Sequence, residues 1–324
     1  MTTTQSIAEA ETFAATCGVI IDNVATVVQG KRDVIRLMML CMLSEGHLLI
    51  EDVPGVGKTS LAKAFAGSIH GSWGRIQFTP DLLPADVVGV TVWNRNEGTF
   101  DFRPGPVFNN IVLGDEINRA SPKTQSALLE SMEERQVTVD GNTYQLARPF
   151  MVIATQNPIE HEGTFPLPES QLDRFLMRLS VGYPSPNAEL EVLTRHGQGD
   201  PVGQLQSVVS IEQIKRLIEY VTSVHIAEPL RHYLVALASA TRTSPLIALG
   251  MSPRATLNLQ RAARAHAALD GRPYVTPDDV KGIALQVLTH RILLTPDAQL
   301  AGHNAESVLE QLLSCVPIPD GRSV

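Results

Sequence analysis

Cysteine is scarce in this chain: Cys17, Cys41 and Cys315 are the three in 324 residues. They lie far apart and form no C-x-x-C pair. That excludes a disulfide-framed secreted domain and a cysteine-held metal knot, and it suits reduced core thiols in a cytoplasmic protein. Aromatic residues make up only 5%, and no basic residues interleave with Trp73 or Trp93. Both tryptophans therefore read as packing or hairpin side chains rather than a base-stacking platform. Positive charge is not in excess: the net charge of −8 argues against a general affinity for nucleic-acid phosphates. Long apolar runs are missing too. The most apolar stretch, Leu37 to Leu43, is far too short to span a bilayer and reads as a buried helix. The polar start, Met1 to Glu11, lacks the basic-then-apolar order of a secretory signal. What is present is a globular balance, 44% hydrophobic and 19% charged residues, on a chain long enough for one large or two ordinary cores.

Periodicity divides the chain. Residues from about Asp22 to Ser44 read as helical, with a turn at Gly30 and a stop at Gly46. Short apolar runs at His47–Glu51, Ile76–Phe78, Ile111–Asp115, Phe150–Thr155 and Phe175–Val181 alternate with helical segments such as Ser60–Ile69. Runs apolar on both faces, separated by helices, predict a parallel five-stranded sheet covered on both sides. Two segments interrupt the pattern as hairpins. Val90 to Arg103 alternates around Asn-Glu-Gly, and Gln136 to Leu146 alternates around Asp140-Gly141. After Pro184 strand signals largely disappear. Ile211–Val224, Glu228–Thr241, Pro253–Leu269 and Thr276–Thr289 read as helices, with capping signals at Ser252-Pro253 and Thr276-Pro277-Asp278-Asp279. The segment Gly197 to Gly203 is the candidate boundary, giving an α/β nucleotide-binding core over 1–198 and a small all-helical lid over 199–324.

The chemistry begins at D-V-P-G-V-G-K-T, Asp52 to Thr59, between a strand and a helix. Glycines let backbone N–H groups approach phosphate oxygens, and the following helix presents its positive end. Lys58 is placed to neutralise the β- and γ-phosphates of ATP and the Thr59 hydroxyl to ligate Mg²⁺. The usual pattern has glycine where this chain has Asp52, a residue tolerated in a strand-to-loop turn. I-V-L-G-D-E, Ile111 to Glu116, is an apolar strand ending in two carboxylates. Asp115 would hold the Mg²⁺ shell and Glu116 would act as general base toward water. Asn157, after the fourth strand, reads from its neighbours either as an Asn-Pro turn or as a carboxamide that orients water. Arg174 and Arg254 read locally as surface ion pairs. Arg254, Arg261 and Arg264 form a basic stripe on a solvated helix face, His290-Arg291 meet a helix dipole, and Glu160-His161-Glu162 reads as a solvated loop rather than a metal site.

From about Gly30 to Thr295 the chain resembles the MoxR family of AAA+ ATPases. The resemblance is carried by H-L-L-I-E-D-V-P-G-V-G-K-T (His47 to Thr59), I-Q-F-T-P-D-L-L-P-A-D-V-V-G (Ile76 to Gly89), G-P-V-F (Gly105 to Phe108), D-E-I-N-R-A-S-P-K-T-Q (Asp115 to Gln125), A-T-Q-N-P (Ala154 to Pro158), F-P-L-P-E-S-Q-L-D-R-F (Phe165 to Phe175), S-P-R-A (Ser252 to Ala255) and G-R-P-Y-V-T-P-D-D-V (Gly271 to Val280). It implies an AAA+ P-loop core with hairpin inserts, the first in helix 2 and the second before sensor 1, followed by a helical lid. It implies nucleotide contacts along Pro54, Gly55, Val56, Gly57, Lys58, Thr59 and Ser60. Val27, Val28 and Gly30 match the adenine side, with core packing as the alternative. Asn157 matches the sensor 1 position, Arg174 the arginine finger (Arg178 being the other candidate) and Arg254 the sensor 2 arginine, which in this clade serves either its own or the adjacent site. The implied function is Mg²⁺-dependent ATP hydrolysis in a ring, expected to be a hexamer, acting as a chaperone or remodelling factor in the maturation of proteins or metalloenzyme complexes. Partners with von Willebrand factor A domains are implied, with no client identified. A chelatase-type motor subunit and a DNA-associated motor are the competing functions. The hairpin tips, with one basic residue at Arg95 and none at Asp140-Gly141-Asn142, speak against the latter.

Overall fold

The computed structural model describes residues 3–52, 55–157, 163–187, 189–190 and 202–318. The chain opens with helix α1 (Thr3–Ala25), turns at Gly30, and continues into α2 (Arg32–Leu43). The sequence places the first helix only from about Asp22. In fact Phe13, Cys17, Ile20, Ile21 and Val24 already form a buried stripe at helical spacing. From Ile35 through Leu43, α2 buries nearly every side chain, the buried helix expected of that apolar stretch.

Strand β1 (Leu48–Glu51) leads through the glycine loop into α3 (Lys58–Ser68). Then come β2 (Trp73–Gln77), the short α4 (Pro84–Val88), and the hairpin of β3 (Gly89–Asn94) with β4 (Thr99–Pro104). Strand β5 (Ile111–Asp115) precedes α5 (Pro122–Glu134), whose N-terminus is capped by the Ser121 hydroxyl. A second hairpin pairs β6 (Gln136–Val139) with β7 (Asn142–Gln145). Strand β8 (Met151–Gln156), one turn of helix α6 (Glu169–Leu172) and β9 (Met177–Leu179) complete the core.

All five long-range strands run parallel in the order β2-β5-β8-β1-β9. The residues of the three inner strands β5, β8 and β1 are buried on both faces, as continuous apolar runs require, whereas the edge strand β2 is largely not. Because β8 lies between β5 and β1, the carboxyl ends of those three strands open side by side on one edge of the sheet.

The C-terminal part is helical: α7 (Ile211–Ser223), α8 (Glu228–Thr243), α9 (Pro253–Leu269), α10 (Pro277–Leu288), α11 (Pro296–Leu300) and α12 (Ala305–Cys315). Contrary to the purely helical expectation, it also holds a small antiparallel ladder of β10 (Ile247–Leu249) with β11 (Leu293–Leu294). These helices share one continuous apolar cluster with α1, α2, α3 and one face of the sheet. A second cluster fills the other face, around α5 and the hairpins. The expected boundary near 198/199 lies outside the described residues. Among the described residues no helix is long and apolar enough to cross a membrane. Cys17 and Cys41 are buried free thiols, and burial pushes the Cys17 thiol up to about 12. Cys315, expected in the core, is exposed instead.

Candidate nucleotide site

The phosphate loop leaves β1 after Glu51. Gly55 and Gly57 both adopt φ of +86°, and a Cβ built on either meets nothing within 4 Å. Left-handed residues alternating with ordinary ones turn backbone N–H groups toward one side, and α3 starts immediately, adding its free N-terminal amides. Lys58 Nζ donates to the Asp52 carbonyl at 3.0 Å, so its ammonium lies folded over the loop. Thr59 and Ser60 occupy the first turn of α3. Val53 and Pro54 lie outside the described residues.

Asp52 does more than tolerate a turn. Its carboxylate is buried and accepts from the backbone N–H groups of Val181 and Gly182, both at 2.6 Å, and from the Ser180 hydroxyl at 3.1 Å. Lys31 holds the same segment from the other side, donating to the carbonyls of Val181 at 2.6 Å and Tyr183 at 2.7 Å. The phosphate loop, the start of α2 and residues 180–183 are thus tied together. Val28 and Val56 are partly buried against one apolar cluster, and Gly30 turns with φ of +69° just before Lys31.

At the end of β5, Thr155 on β8 positions both acids: its hydroxyl donates to Asp115 Oδ1 at 2.7 Å and accepts from the Glu116 N–H at 2.9 Å. Glu116 is left-handed (φ 58°, ψ 50°), a sparsely populated conformation for a non-glycine residue that lifts its side chain off the strand direction. Neighbouring β2 supplies partners to each carboxylate. Arg75 donates to Asp115 Oδ2 and to Gln77 Oε1, each at 2.7 Å, and Gln77 donates to Glu116 Oε2 at 2.9 Å. Arg119 reaches the same Glu116 oxygen at 3.1 Å. The Asp115 carboxylate is paired with the Arg75 guanidinium through one oxygen and with the Thr155 hydroxyl through the other. With the Thr59 hydroxyl at the head of α3, the donor set is all oxygen, the chemistry Mg²⁺ prefers, so these residues fit the ion. Asn157 is buried one residue beyond β8, between the phosphate loop and the two acids by strand order.

The arginines fall elsewhere. Arg174 precedes β9 and Arg254 opens α9; both pair with Glu133 near the end of α5, Arg174 at 3.2 Å and Arg254 in closer contact. They line a cavity of about 370 Å³ together with Gly46, His47 and Arg261. Residues 46 and 47 lie before β1 and the phosphate loop lies after it, so this cavity is at the opposite edge of the parallel sheet, ~15 Å away by strand rise. Arg178, the alternative finger, instead faces Glu51 at 3.2 Å on the phosphate-loop side. The solvated stripe holds for Arg254 and Arg261, which are exposed and also border the cavity, whereas Arg264 is partly buried and burial lowers its pKa.

Several residues that shape the site carry no local signal. His290 Nε2 bonds the Phe175 carbonyl at 3.0 Å, and Arg291 donates to that carbonyl at 2.5 Å and to the Asp173 carbonyl at 3.2 Å. Both side chains are buried; Arg291 meets the end of α10 as expected, donating to the Val287 carbonyl at 3.1 Å, and both also pin the segment carrying Arg174. Gln125, also buried, donates to the carbonyls of Ile117, Ala120 and Phe165, which fixes the turn after Glu116. His266, Asp270 and Asp279 cluster in the lid, but Arg272 already grips Asp279 with two bonds of 2.5 and 2.6 Å. That cluster is a staple between α9 and α10. Glu160-His161-Glu162 lies outside the described residues.

A P-loop flanked by acids on the strand two places away, with a buried Asn on the strand between them and a helical lid, defines the AAA+ class of nucleoside-triphosphatases. Residues 47–177 match the family profile described as "ATPase family associated with various cellular activities (AAA)", and residues 239–312 match that of the AAA lid domain. Within that class the chain belongs to the MoxR family. It is 42% identical to Chaperone MoxR1 of Mycobacterium tuberculosis over 93% of this chain and 82% of that one. It is 49% identical to the uncharacterized protein YeaC of Bacillus subtilis over 94% and 96% of the two chains. A crystal structure from Cytophaga hutchinsonii superposes with a TM-score of 0.89 at 39% identity, covering 96% of this chain and 97% of that one.

Proposed function

We propose that the chain hydrolyses MgATP in a cytoplasmic ring, a hexamer by family resemblance, in which each subunit lends Arg174 and Arg254 to its neighbour's nucleotide. The observation that carries this reading is the separation of those arginines from Lys58: they share Glu133 at the sheet edge opposite the phosphate loop. An arginine so placed serves a second copy through a heterologous, head-to-tail contact, which closes into a ring.

The residues divide the work as follows. Loop amides from Gly55 to Thr59 cradle the phosphates, and Lys58 leaves the Asp52 carbonyl to neutralise the terminal oxygens. Val28 and Gly30 border the base. Thr59 and Asp115 would hold Mg²⁺, which supplies charge neutralisation on the β- and γ-phosphate oxygens. Glu116, released from Gln77, accepts a proton from the attacking water while Asn157 orients that water. The water oxygen bonds to the γ-phosphorus, the bond to the bridging oxygen breaks, and ADP keeps that electron pair. Arg174 from the neighbour meets the charge spread over the transferring group. Release then moves the lid against the core and does mechanical work on a client. Chaperone work is supported by the relative named Chaperone MoxR1; von Willebrand factor A domain proteins as partners rest on the family resemblance alone.

Mixing two dead variants tests the arrangement. Lys58→Ala and Arg174→Ala should each lose ~10³-fold or more of ATPase activity alone. In a 1:1 mixture, about a quarter of the interfaces pair an intact loop with an intact arginine, and activity should return in proportion. A mixture as inactive as its components would reject a shared site.

A further inference from the structure

The arginine cavity is lined by more positive than negative side chains. Of the four guanidiniums that border it, Arg135 is engaged by Glu45, which leaves three, Arg174, Arg254 and Arg261. Glu45 is taken up by Arg135 at 2.6 Å and Arg148 at 2.8 Å, and Asp173 by Arg291 at 3.0 Å. That leaves the Glu133 carboxylate facing the three, with its two oxygens divided between Arg174 and Arg254. Arg261 has no ion-pair partner among the described residues. It lies seven residues, two helical turns, beyond Arg254 on α9, so both project from one face toward the same space. Three positive charges against one negative leave an excess of two, which matches the terminal phosphates of a nucleotide and exceeds what a carboxylate supplies.

Resting on the shared-site reading above, we propose that Glu133 is a built-in stand-in for the phosphates of a second copy's nucleotide, and that Arg261 is a third arginine of that site. In the separate chain Glu133 keeps Arg174 and Arg254 side by side and neutralised. When a neighbour brings its triphosphate, the phosphate oxygens displace the carboxylate and Arg261 gains the anion it lacks. Arg174 and Arg254 are then released to the phosphate together, because one carboxylate holds both. Glu133 is a positioning residue; Arg261 touches the phosphate.

Titration of inorganic tripolyphosphate by calorimetry reads this without hydrolysis or ring closure, using the Lys58→Ala chain so that the subunit's own loop is disabled. Adding Glu133→Gln should tighten tripolyphosphate binding about tenfold or more, the order expected when a competing charge leaves a half-screened anion site. Glu133→Asp, which keeps the charge, should stay near the parent value and shows that any gain is electrostatic rather than a repacking effect. Adding Arg261→Ala to the Glu133→Gln chain should cancel about a tenfold share of the gain. Unchanged or weaker binding with Glu133→Gln overturns the stand-in role, and indifference to Arg261→Ala overturns the third arginine. Failure of the shared-site reading would appear separately, as a mixture of dead variants that stays dead.

Discussion

Asp52 shows how a residue that breaks a motif can be required by the fold. From sequence it is only a tolerated departure from glycine. In the structure one carboxylate oxygen takes two backbone N–H groups and a hydroxyl from a segment about 130 residues later. Restoring the consensus with Asp52→Gly would strand those donors in a buried place, and each stranded group costs ~1–3 kcal/mol. We expect the variant to lose about 2–4 kcal/mol in urea unfolding, with Asp52→Asn, which keeps an acceptor, losing less. A variant as stable as the parent would show that the strut is dispensable. The placement of Lys58 and Thr59 at a helix start and of Asp115 and Glu116 at a strand end was legible because it depends on local order: strand, glycine turn, helix, and an apolar strand ending in acids. Lys31, Thr155, Gln77 and Glu133 were not, because each acts on a partner dozens of residues distant, and sequence carries no sign of who lies opposite.

Elements with a self-contained signal were read best. The Asp140-Gly141 turn has both central residues left-handed, at φ 49° and 80°, as a two-residue hairpin demands. Ser252 and Thr276 cap their helices where proline and acids announced them. What the sequence did not reveal is how the two hairpins meet. Phe102 of β4 stacks on Tyr144 of β7 with ring centroids 4.0 Å apart, and Phe108 closes the group edge-on at 5.5 Å from Phe102. The rings bridge the two hairpins, while Trp93 and Phe100 at the free end of the first stay half or more exposed. Replacing Phe102 by Ala removes a stacked pair and its buried area, about 1–3 kcal/mol. Amide exchange should rise in β3, β4, β6 and β7 while β1, β5 and β8 keep their protection. Uniform acceleration across the sheet would instead mean that the hairpins and core open as one unit.

For the whole molecule, two buried neutral histidines, one inside the core and one joining the lid to it, make stability depend on acid. His47, just ahead of β1, accepts from the Val152 N–H at 3.0 Å and donates to the Met132 carbonyl at 3.1 Å. Burial lowers its pKa from 6.5 to about 4. His290, linking α10 to Phe175, is shifted well down in the same direction, again chiefly by burial. A histidine with a depressed folded pKa contributes fully above its unfolded value and loses that contribution as pH falls through the gap, so the window is pH 6.5 down to about 4. For His47 alone the full loss is ~3 kcal/mol. Two carboxylates act later. Despite burial, Arg148 and Arg135 hold Glu45 below its ordinary value, and Arg272 and His266 hold Asp279 further down; their losses begin only below about pH 4.5. Urea unfolding should therefore give constant stability from pH 8 to 7, then a decline approaching two protons, ~2.7 kcal/mol per pH unit, between about 6 and 5. Replacing either histidine by Gln should lower overall stability yet remove one proton from that slope. A full two-proton slope in the His47→Gln, His290→Gln double variant would place the acid sensitivity elsewhere in the molecule.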